Sequence, residues 1–386
     1  NSPPMMEPAQ ALIPVASVVV PEYSMPQIMS LTSSPIAQMC GYIYQEGGQE
    51  STVGRRGIMP AVIRMDRTME GCLMDADAIR RVAVVGSGLM GSGIALQFAV
   101  GGYNVQLGDV SDEKLEMALG TVATNLEMMR DMGLVDDESA AGVPGRISTS
   151  SALETTLDGA DFVIEAVFED LALKQKVFGE IDGLAPDHAV IASNTSSFMA
   201  SQLAPHTGRP GKVVVANWWN PAYLLPLVEV VRGPETTDET IETTVALLTS
   251  LGKRPVVLQK ESLGFIGNRM QFALLREAAS IVEAGIATAE DVDAVVTNSF
   301  GRRLAVAGPF QVFDLAGWDT ILAIVDQLFP DLESSGASPA MIKEMVAGGD
   351  LGVKSGKGFY EWDDDAVAAV RERVGKALAT IGQLSK

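Results

Sequence analysis

A chain of 386 residues is long enough for two or three domains, and an apolar fraction of 47% is ample for their cores. The formal charge of −21 argues against nucleic acid and against an anionic membrane as partners, and it leaves an anionic substrate to find local basic groups. Two cysteines, Cys40 and Cys72, carry no zinc or redox spacing, which implies no metal site, no disulfide framework and a reducing, cytoplasmic setting.

Residues 1–79 are rich in Pro, Met, Ser and Gly, contain no lysine and show no sustained period. They read as a poorly ordered or non-native extension, with Met69 or Met74 as natural starts. Arg55, Arg56, Arg64 and Arg67 leave a presequence or a partner-binding arm as the rival reading. The apolar run from Ala11 to Val20 is broken by Pro14 and lacks a basic flank, so it makes a poor signal peptide, and no run reaches transmembrane length.

From Arg81 onward strands alternate with helices. Val82 to Val85 form a β-branched apolar run suited to a strand buried on both faces. Gly86, Gly88 and Gly91 follow in G-x-G-x-x-G spacing, and Ile94, Leu96, Phe98 and Ala99 continue as a helix. Gly86 permits a tight turn, Gly88 lets a pyrophosphate approach the main chain, and Gly91 lets helix and strand pack closely. The helix N-terminus offers unpaired N–H groups to phosphate. A second strand, Asn104 to Leu107, leads to Asp109. An acid there meets the adenosine ribose hydroxyls and favours NAD over NADP, whose extra phosphate it repels.

Residues 112–133 read as a long amphipathic helix closed by Gly133. Strands are expected at Phe162 to Ile164, Ala189 to Ala192, Val213 to Ala216, Leu227 to Val231 and Pro255 to Leu258. Helices are expected at Leu171 to Leu184 and at Thr237 to Leu251. The alternation predicts a parallel sheet with crossover helices on both faces, an α/β Rossmann-like domain over residues 80–260. The pattern changes at Glu261. Gly264 to Glu283 is a continuous helical run, and helical stretches follow, broken at Gly308-Pro309 and at Ser355-Gly-Lys-Gly. Residues 261–386 are therefore an all-α domain. Its surplus of apolar helix surface predicts a homodimer.

The motifs together resemble the 3-hydroxyacyl-CoA dehydrogenase family. The matching stretches are the Gly86 loop, Glu165-Ala-Val-Phe-Glu-Asp170, Ala192-Ser-Asn-Thr-Ser-Ser197, Asn220-Pro221 with Pro226-Leu-Val-Glu229, Gly264-Phe-Ile-Gly-Asn-Arg269, Gly308-Pro309 with Asp314-Leu315, and Lys354-Ser-Gly-Lys-Gly-Phe-Tyr360. The stretch around Pro221 is nearer to branches that oxidise small hydroxy acids. The resemblance implies NAD as cofactor and a 3-hydroxyl of an acyl-CoA or small hydroxy acid as substrate. It assigns Gly88, Leu89, Met90, Gly91, Ser92 and Gly93 to the pyrophosphate and Asp109 to the ribose. Glu169, Lys174 and Lys354 match cofactor contacts. Ser196 and Asn220 match nicotinamide and substrate contacts, Asn268 a polar group beside the substrate hydroxyl, and Glu229 the acid that orients a catalytic histidine.

That histidine is absent. The family has His-x-x-Asn-Pro, whereas this chain has Asn217-Trp218-Trp219-Asn220-Pro221. His188 and His206 stand in loop-like surroundings away from the motif. An asparagine donates an N–H but takes no proton at useful pH, and loss of a positioned base costs on the order of 10²- to 10⁴-fold. The first reading is a slowed or re-tuned dehydrogenase, with Glu229 or a water as substitute base. The alternative is an inactive family member that binds NAD and substrate as a binding or structural protein. Blander roles stand beside the site roles: Ser196 as a helix cap, Asn268 as a satisfied core amide, Trp218 and Trp219 as cleft wall, Lys354 as solvent-facing charge. In the helix of residues 112–133, Lys114 and Arg130 are diluted by acids, which weakens the acyl-CoA reading.

Overall fold

A computed structural model describes residues 79–384. The expectations for the amino-terminal extension, and both cysteines, lie outside the described residues.

The chain opens with β1 (Arg81–Val85), α1 (Leu89–Val100), β2 (Asn104–Gly108) and α2 (Asp112–Asp131). Strand residues alternate between faces. Val82 and Val84 enter one apolar core, and Ala83 and Val85 enter a second on the other side of the sheet. Ser111 caps α2 by accepting from the Lys114 amide, and Gly133 closes it in the left-handed region at φ 66°. Then come α3 (Asp137–Gly142), β3 (Ile147–Ser150) and α4 (Leu153–Leu157). These short, polar elements carry too few apolar repeats to be read from sequence.

β4 (Phe162–Glu165), α5 (Leu171–Leu184), β5 (Val190–Ser193), the single turn α6 (Ala200–Leu203) and β6 (Val213–Trp218) continue the alternation. β7 (Leu227–Arg232), α7 (Asp238–Ser250) and β8 (Arg254–Leu258) complete one eight-stranded sheet, ordered β3-β2-β1-β4-β5-β6-β7-β8. Helices α1, α2 and α7 cover one face, and α4, α5 and α6 cover the other.

The sheet departs from the all-parallel expectation at one junction. β6 pairs antiparallel with β7, and β8 then runs parallel to β7. The reason is local: no crossover helix separates β6 from β7, only the loop 219–226, which is too short to return the chain to the far end of the sheet. The reversal puts that loop at the carboxyl end of β6, where open α/β sheets place their ligands. It also sets Asn217 opposite Glu229 in register.

Beyond β8 the chain is helical: α8 (Gly267–Glu283), α9 (Ala289–Asn298), α10 (Phe300–Leu304), α11 (Pro309–Ala316), α12 (Trp318–Leu328), α13 (Ala340–Ala347) and α14 (Asp364–Leu384). α8 starts at Gly267 rather than Gly264. Gly264 and Phe265 both take positive φ, 73° and 51°, so a left-handed turn precedes the helix. Phe265 adopts this strained conformation with its ring buried in the second core. Among α8 to α13 Ala279 is the one buried residue, and Met270, Phe272, Phe310, Trp318 and Leu322 leave apolar faces exposed.

Candidate active site

A cavity of about 780 Å³ runs along the carboxyl ends of β1, β2 and β4 and is lined by Gly86, Ser87, Gly88, Leu89, Met90, Asp109, Lys114 and Phe168, among others. The three glycines behave differently. Gly86 sits at φ +106°, and a Cβ there would lie 2.6 Å from the Ala166 carbonyl oxygen. A Cβ on Gly91 would lie 1.8 Å from the Gly86 oxygen, so these two close the turn. A Cβ on Gly88 would meet nothing within 4 Å. Gly88 is therefore not needed for packing; it leaves room above the first turn of α1, where free N–H groups face outward. Ser92 is buried and tied to the Gly88 carbonyl at 2.9 Å, and Gly93 packs toward Ala222. The donors, the room and the nearby acid fit a dinucleotide.

Asp109 accepts from the Ser87 amide at 2.8 Å and hydroxyl at 2.9 Å, and Lys114 lies 3.4 Å away. Burial pushes its carboxyl up, but the Ser87 and Val110 amides, the Ser87 hydroxyl and Lys114 outweigh it, holding the group below its ordinary 3.8. Its hold on the glycine loop is thus present above that ordinary value and is lost only as pH falls through the lower one. Lys114 lies between Asp109 and the Phe168 ring, 5.8 Å from the ring centre.

A buried polar network supports the floor of the cleft. Lys174 and Glu165 are both fully buried and meet at 2.7 Å. Glu165 also accepts from the Ser193 hydroxyl at 2.6 Å and the Val167 amide at 2.7 Å. Lys174 reaches on to Glu169 at 3.2 Å. Glu169 in turn accepts from the Thr195 hydroxyl at 2.5 Å and from the Ser196 and Ser197 amides at 3.1 Å. Burial raises the Glu169 carboxyl, and the Thr195 hydroxyl and Lys174 more than offset this, leaving it below its ordinary 4.5. Lys174 thus stands behind Glu169, which fixes the loop carrying Ser196. The local capping hydroxyl is that of Thr195, which accepts from the Ser197 and Phe198 amides. Glu165, Ser193 and Thr195 fall in the matching stretches without an expected role, because nothing in a sequence marks a buried carboxylate whose partner is a lysine nine residues on, nor the hydroxyls that bond to such acids.

Asn217 is 5% exposed and Glu229 1%. Alternation along β6 sends Val213, Val215 and Asn217 to one face, and Val214, Ala216 and Trp218 to the other. Asn217 and Glu229 therefore meet beside the second core, while Trp218 lies in the first, against Phe98 at 5.7 Å. Trp218 is a core residue and not cleft wall. Asn217 Nδ2 donates to Glu229 Oε2 at 3.0 Å, and Trp219 Nε1 donates to the same oxygen at 3.2 Å. Glu229 Oε1 accepts from the Ile266 and Gly267 amides at 2.9 and 3.0 Å, at the amino end of α8. Four donors use up the acceptor capacity of this carboxylate. Glu229 thus has no free lone pair left to accept a further proton donor. The Asn217 amide is held with its NH₂ toward the acid, and its Oδ1 accepts from no group among the described residues. Gly267 is required here: a Cβ would fall 2.2 Å from the Trp219 ring.

The other expected residues are placed as follows. Asn194, two residues before Ser196, accepts from the Trp218 amide at 2.9 Å, which joins the ends of β5 and β6. Asn268 is half-buried in the first turn of α8, next to the amides that bind Glu229, and its side chain makes no hydrogen bond among the described residues. Asn220 is exposed and precedes a cis peptide bond to Pro221. Lys354 is exposed in the turn after α13, without an ion pair among the described residues. His188 pairs with Asp161 at 3.0 Å and His206 is exposed in a single 3₁₀ turn. No group of three or more metal-ligating side chains occurs among the described residues, and no helix there is long and apolar enough to cross a membrane.

The arrangement has known counterparts. The family described as "3-hydroxyacyl-CoA dehydrogenase, NAD binding domain" matches residues 81–262, and "3-hydroxyacyl-CoA dehydrogenase, C-terminal domain" matches residues 264–362. The 5-formyl-3-hydroxy-2-methylpyridine 4-carboxylate 5-dehydrogenase of Mesorhizobium japonicum is 34% identical over 302 residues, 78% of this chain and 97% of that protein. A 3-hydroxybutyryl-CoA dehydrogenase of Mycobacterium tuberculosis is 35% identical over 289 residues, 74% of this chain and 100% of that protein. A crystal structure of a 5-formyl-3-hydroxy-2-methylpyridine 4-carboxylic acid 5-dehydrogenase, described as an NAD⁺-dependent dismutase, superposes with a TM-score of 0.75 at 32% identity, covering 79% of this chain and 98% of that one. The chain belongs to the 3-hydroxyacyl-CoA dehydrogenase family and is an NAD-dependent oxidoreductase of that family.

Proposed function

We propose that the substrate is a small hydroxy acid rather than an acyl-CoA, and that its carbinol proton is passed to water. The observation that carries the second part is the saturation of Glu229 by four donors, with Asn217 as the residue beside it. NAD, when bound, supplies the hydride acceptor. The Asn217 carbonyl oxygen accepts a hydrogen bond from the substrate hydroxyl or from a water beside it. Ser196 and Asn268 orient the hydroxyl and the nicotinamide, and Asp109 and the Gly86–Gly93 loop hold the adenosine end, with Asn220 and Lys354 as outer contacts. Without a side-chain base, the proton leaves to solvent and turnover is slow for the family. The reading of an inactive binding protein is not favoured, since the relatives compared above are named dehydrogenases.

The preference for a small acid rests on α2. Its two basic residues already face acids, Lys114 facing Asp109 at 3.4 Å and Arg130 facing Asp137 at 2.7 Å, which leaves little unbalanced positive charge for the nucleotide phosphates of coenzyme A. The Mesorhizobium relative is named for a small pyridine carboxylate. NADH formation, followed against free hydroxy acids and their coenzyme A thioesters at equal concentration, should be faster with at least one free acid. Faster turnover of the thioesters throughout would overturn the assignment.

We place the protein in the cytoplasm as a homodimer. The apolar faces of α8, α11 and α12 support self-association, since exposed residues such as Met270, Phe272, Phe310 and Leu322 form more apolar surface than a solvated domain leaves open. Light scattering at micromolar concentration should give twice the chain mass of 40.8 kDa; a monomer would contradict the dimer.

A further inference from the structure

Lys253 is 7% exposed and has no carboxylate partner among the described residues. Its backbone is fixed by the turn that ends α7: Gly252 is left-handed at φ 72°, and the Lys253 amide donates to the Leu248 carbonyl at 3.0 Å. Its side chain runs beneath the β6–β7 loop. Nζ donates to the Ala222 carbonyl at 2.6 Å and to the Leu225 carbonyl at 3.1 Å, and lies 5.2 Å from the centre of the Trp218 ring. An ammonium has three donors. Two go to loop carbonyls, and the charge rests over an indole face, a cation–π contact that gains strength when desolvated.

The loop held in this way is a compact turn, with the Leu224 and Leu225 amides both donating to the Pro221 carbonyl at 3.0 Å. Its other side rests on the cofactor helix, where Ala222 fills the space in front of Gly93; a Cβ on Gly93 would come within 3.3 Å of it. Asn220 opens the loop, and Asn217 and Trp218 end the strand that enters it. We propose that Lys253 is a positioning residue: its ammonium holds the Asn220–Leu225 loop against α1 and thereby sets where Asn217 and Asn220 meet the nicotinamide and the substrate. This rests on the reading that those two residues face the reacting groups.

The charge is exposed to little else. Tyr223, in the same loop, turns its hydroxyl to Met128 Sδ at 3.8 Å. Glu229 on β7 is spent on its four donors, Arg232 pairs with Asp238, and Glu239 and Glu242 of α7 are exposed. Arg254, the next residue along β8, is exposed. Burial alone pushes the Lys253 ammonium down to about 8.

The test is Lys253→Met, which keeps the apolar stem and removes the donors. Below its melting temperature it should lower kcat on the order of 10²-fold, as expected for a small displacement of reacting groups. The Kd for NADH should change by less than about threefold, because the adenosine end is untouched. The nicotinamide emission of the bound NADH should shift. Lys253→Gln, which keeps an N–H donor group but loses the charge, should fall between the parent and the Met variant and serves if the Met variant does not fold. In the unaltered protein the emission of bound NADH should change around pH 8, where the ammonium loses its proton, and Lys253→Met should erase that change. Variants with kcat within twofold of the parent and unshifted emission would overturn the proposal. A parent that turns over no hydroxy acid refutes the substrate reading instead, and the NADH emission still decides on Lys253.

Discussion

Asn217→His is expected to raise kcat by roughly 10²-fold or more on the true substrate, with little change in NAD affinity. Asn217, next to last in β6, is in register with Glu229, and their side chains already meet at 3.0 Å. An imidazole at 217 would donate one ring N–H to Glu229, which fixes the tautomer and leaves the other nitrogen facing the cleft as proton acceptor. Glu229 needs no rearrangement, because the Ile266 and Gly267 amides and the Trp219 indole hold it in place. Glu229→Gln in the His variant should cancel most of the gain, since a neutral amide stabilises an imidazolium poorly. In the parent the same change should cost far less in kcat, because an acid that only orients an amide has no charge to stabilise. It should lower the melting temperature in both backgrounds: a Gln NH₂ faces donors on every side, and a buried unsatisfied pair costs about 1–3 kcal/mol. Steady-state kinetics below the melting temperature of each variant checks these expectations. An Asn217→His variant no faster than the parent would mean that the cleft has been rebuilt for other chemistry.

The second large effect separates two glycines that look alike in sequence. Gly91→Ala should destabilise the fold, because its Cβ would sit 1.8 Å from the Gly86 carbonyl oxygen and neither backbone can retreat without parting α1 from β1. Overpacking of this kind costs about 1–3 kcal/mol or more, enough for a clear fall in melting temperature. Gly88→Ala should leave the melting temperature unchanged, since its Cβ meets nothing within 4 Å, and yet weaken NAD by roughly 10- to 100-fold, because the methyl enters the space where a pyrophosphate must approach the main chain. Calorimetric titration of NAD and thermal melts of both variants read the two effects separately. The same titrations with NADP should give weaker binding throughout, as Asp109 repels a 2′-phosphate. A Gly88→Ala variant that binds NAD like the parent would remove the glycine loop from the cofactor site.

Much of the fold was legible because burial imposes a period. The β-branched run from Val82 to Val85, the glycine spacing and the caps at Ser111 and Thr237 each fix an element by local rules. The elements between Asp137 and Leu157 escaped because a polar edge strand and two short helices bury too little to leave a pattern. The reversal at β7 was hidden in what is missing, a helix between Trp218 and Leu227, and absence weighs little beside so many crossovers. The late start of α8 was hidden by Phe265, whose left-handed backbone no propensity suggests. In the site, the family resemblance implied that the acid at 229 faces position 217. The four donors on Glu229 were not legible, since two are backbone amides made available only by the turn at Gly264 and Phe265. Trp218 and Trp219 show the same limit. Strand alternation alone sends them to opposite faces, one to the core and one to the acid.

On the proposed reading, position 217 lacks a proton acceptor that Glu229 is placed to orient. Chemical rescue tests this most directly. Asn217→Gly opens a space beside Glu229, and added imidazole should occupy it and donate one N–H to the carboxylate. NADH formation by this variant should rise with imidazole concentration and saturate, whereas the parent, with the space filled by the asparagine, should not respond. An Asn217→Gly variant that is indifferent to imidazole, on a substrate the parent oxidises, would contradict the account.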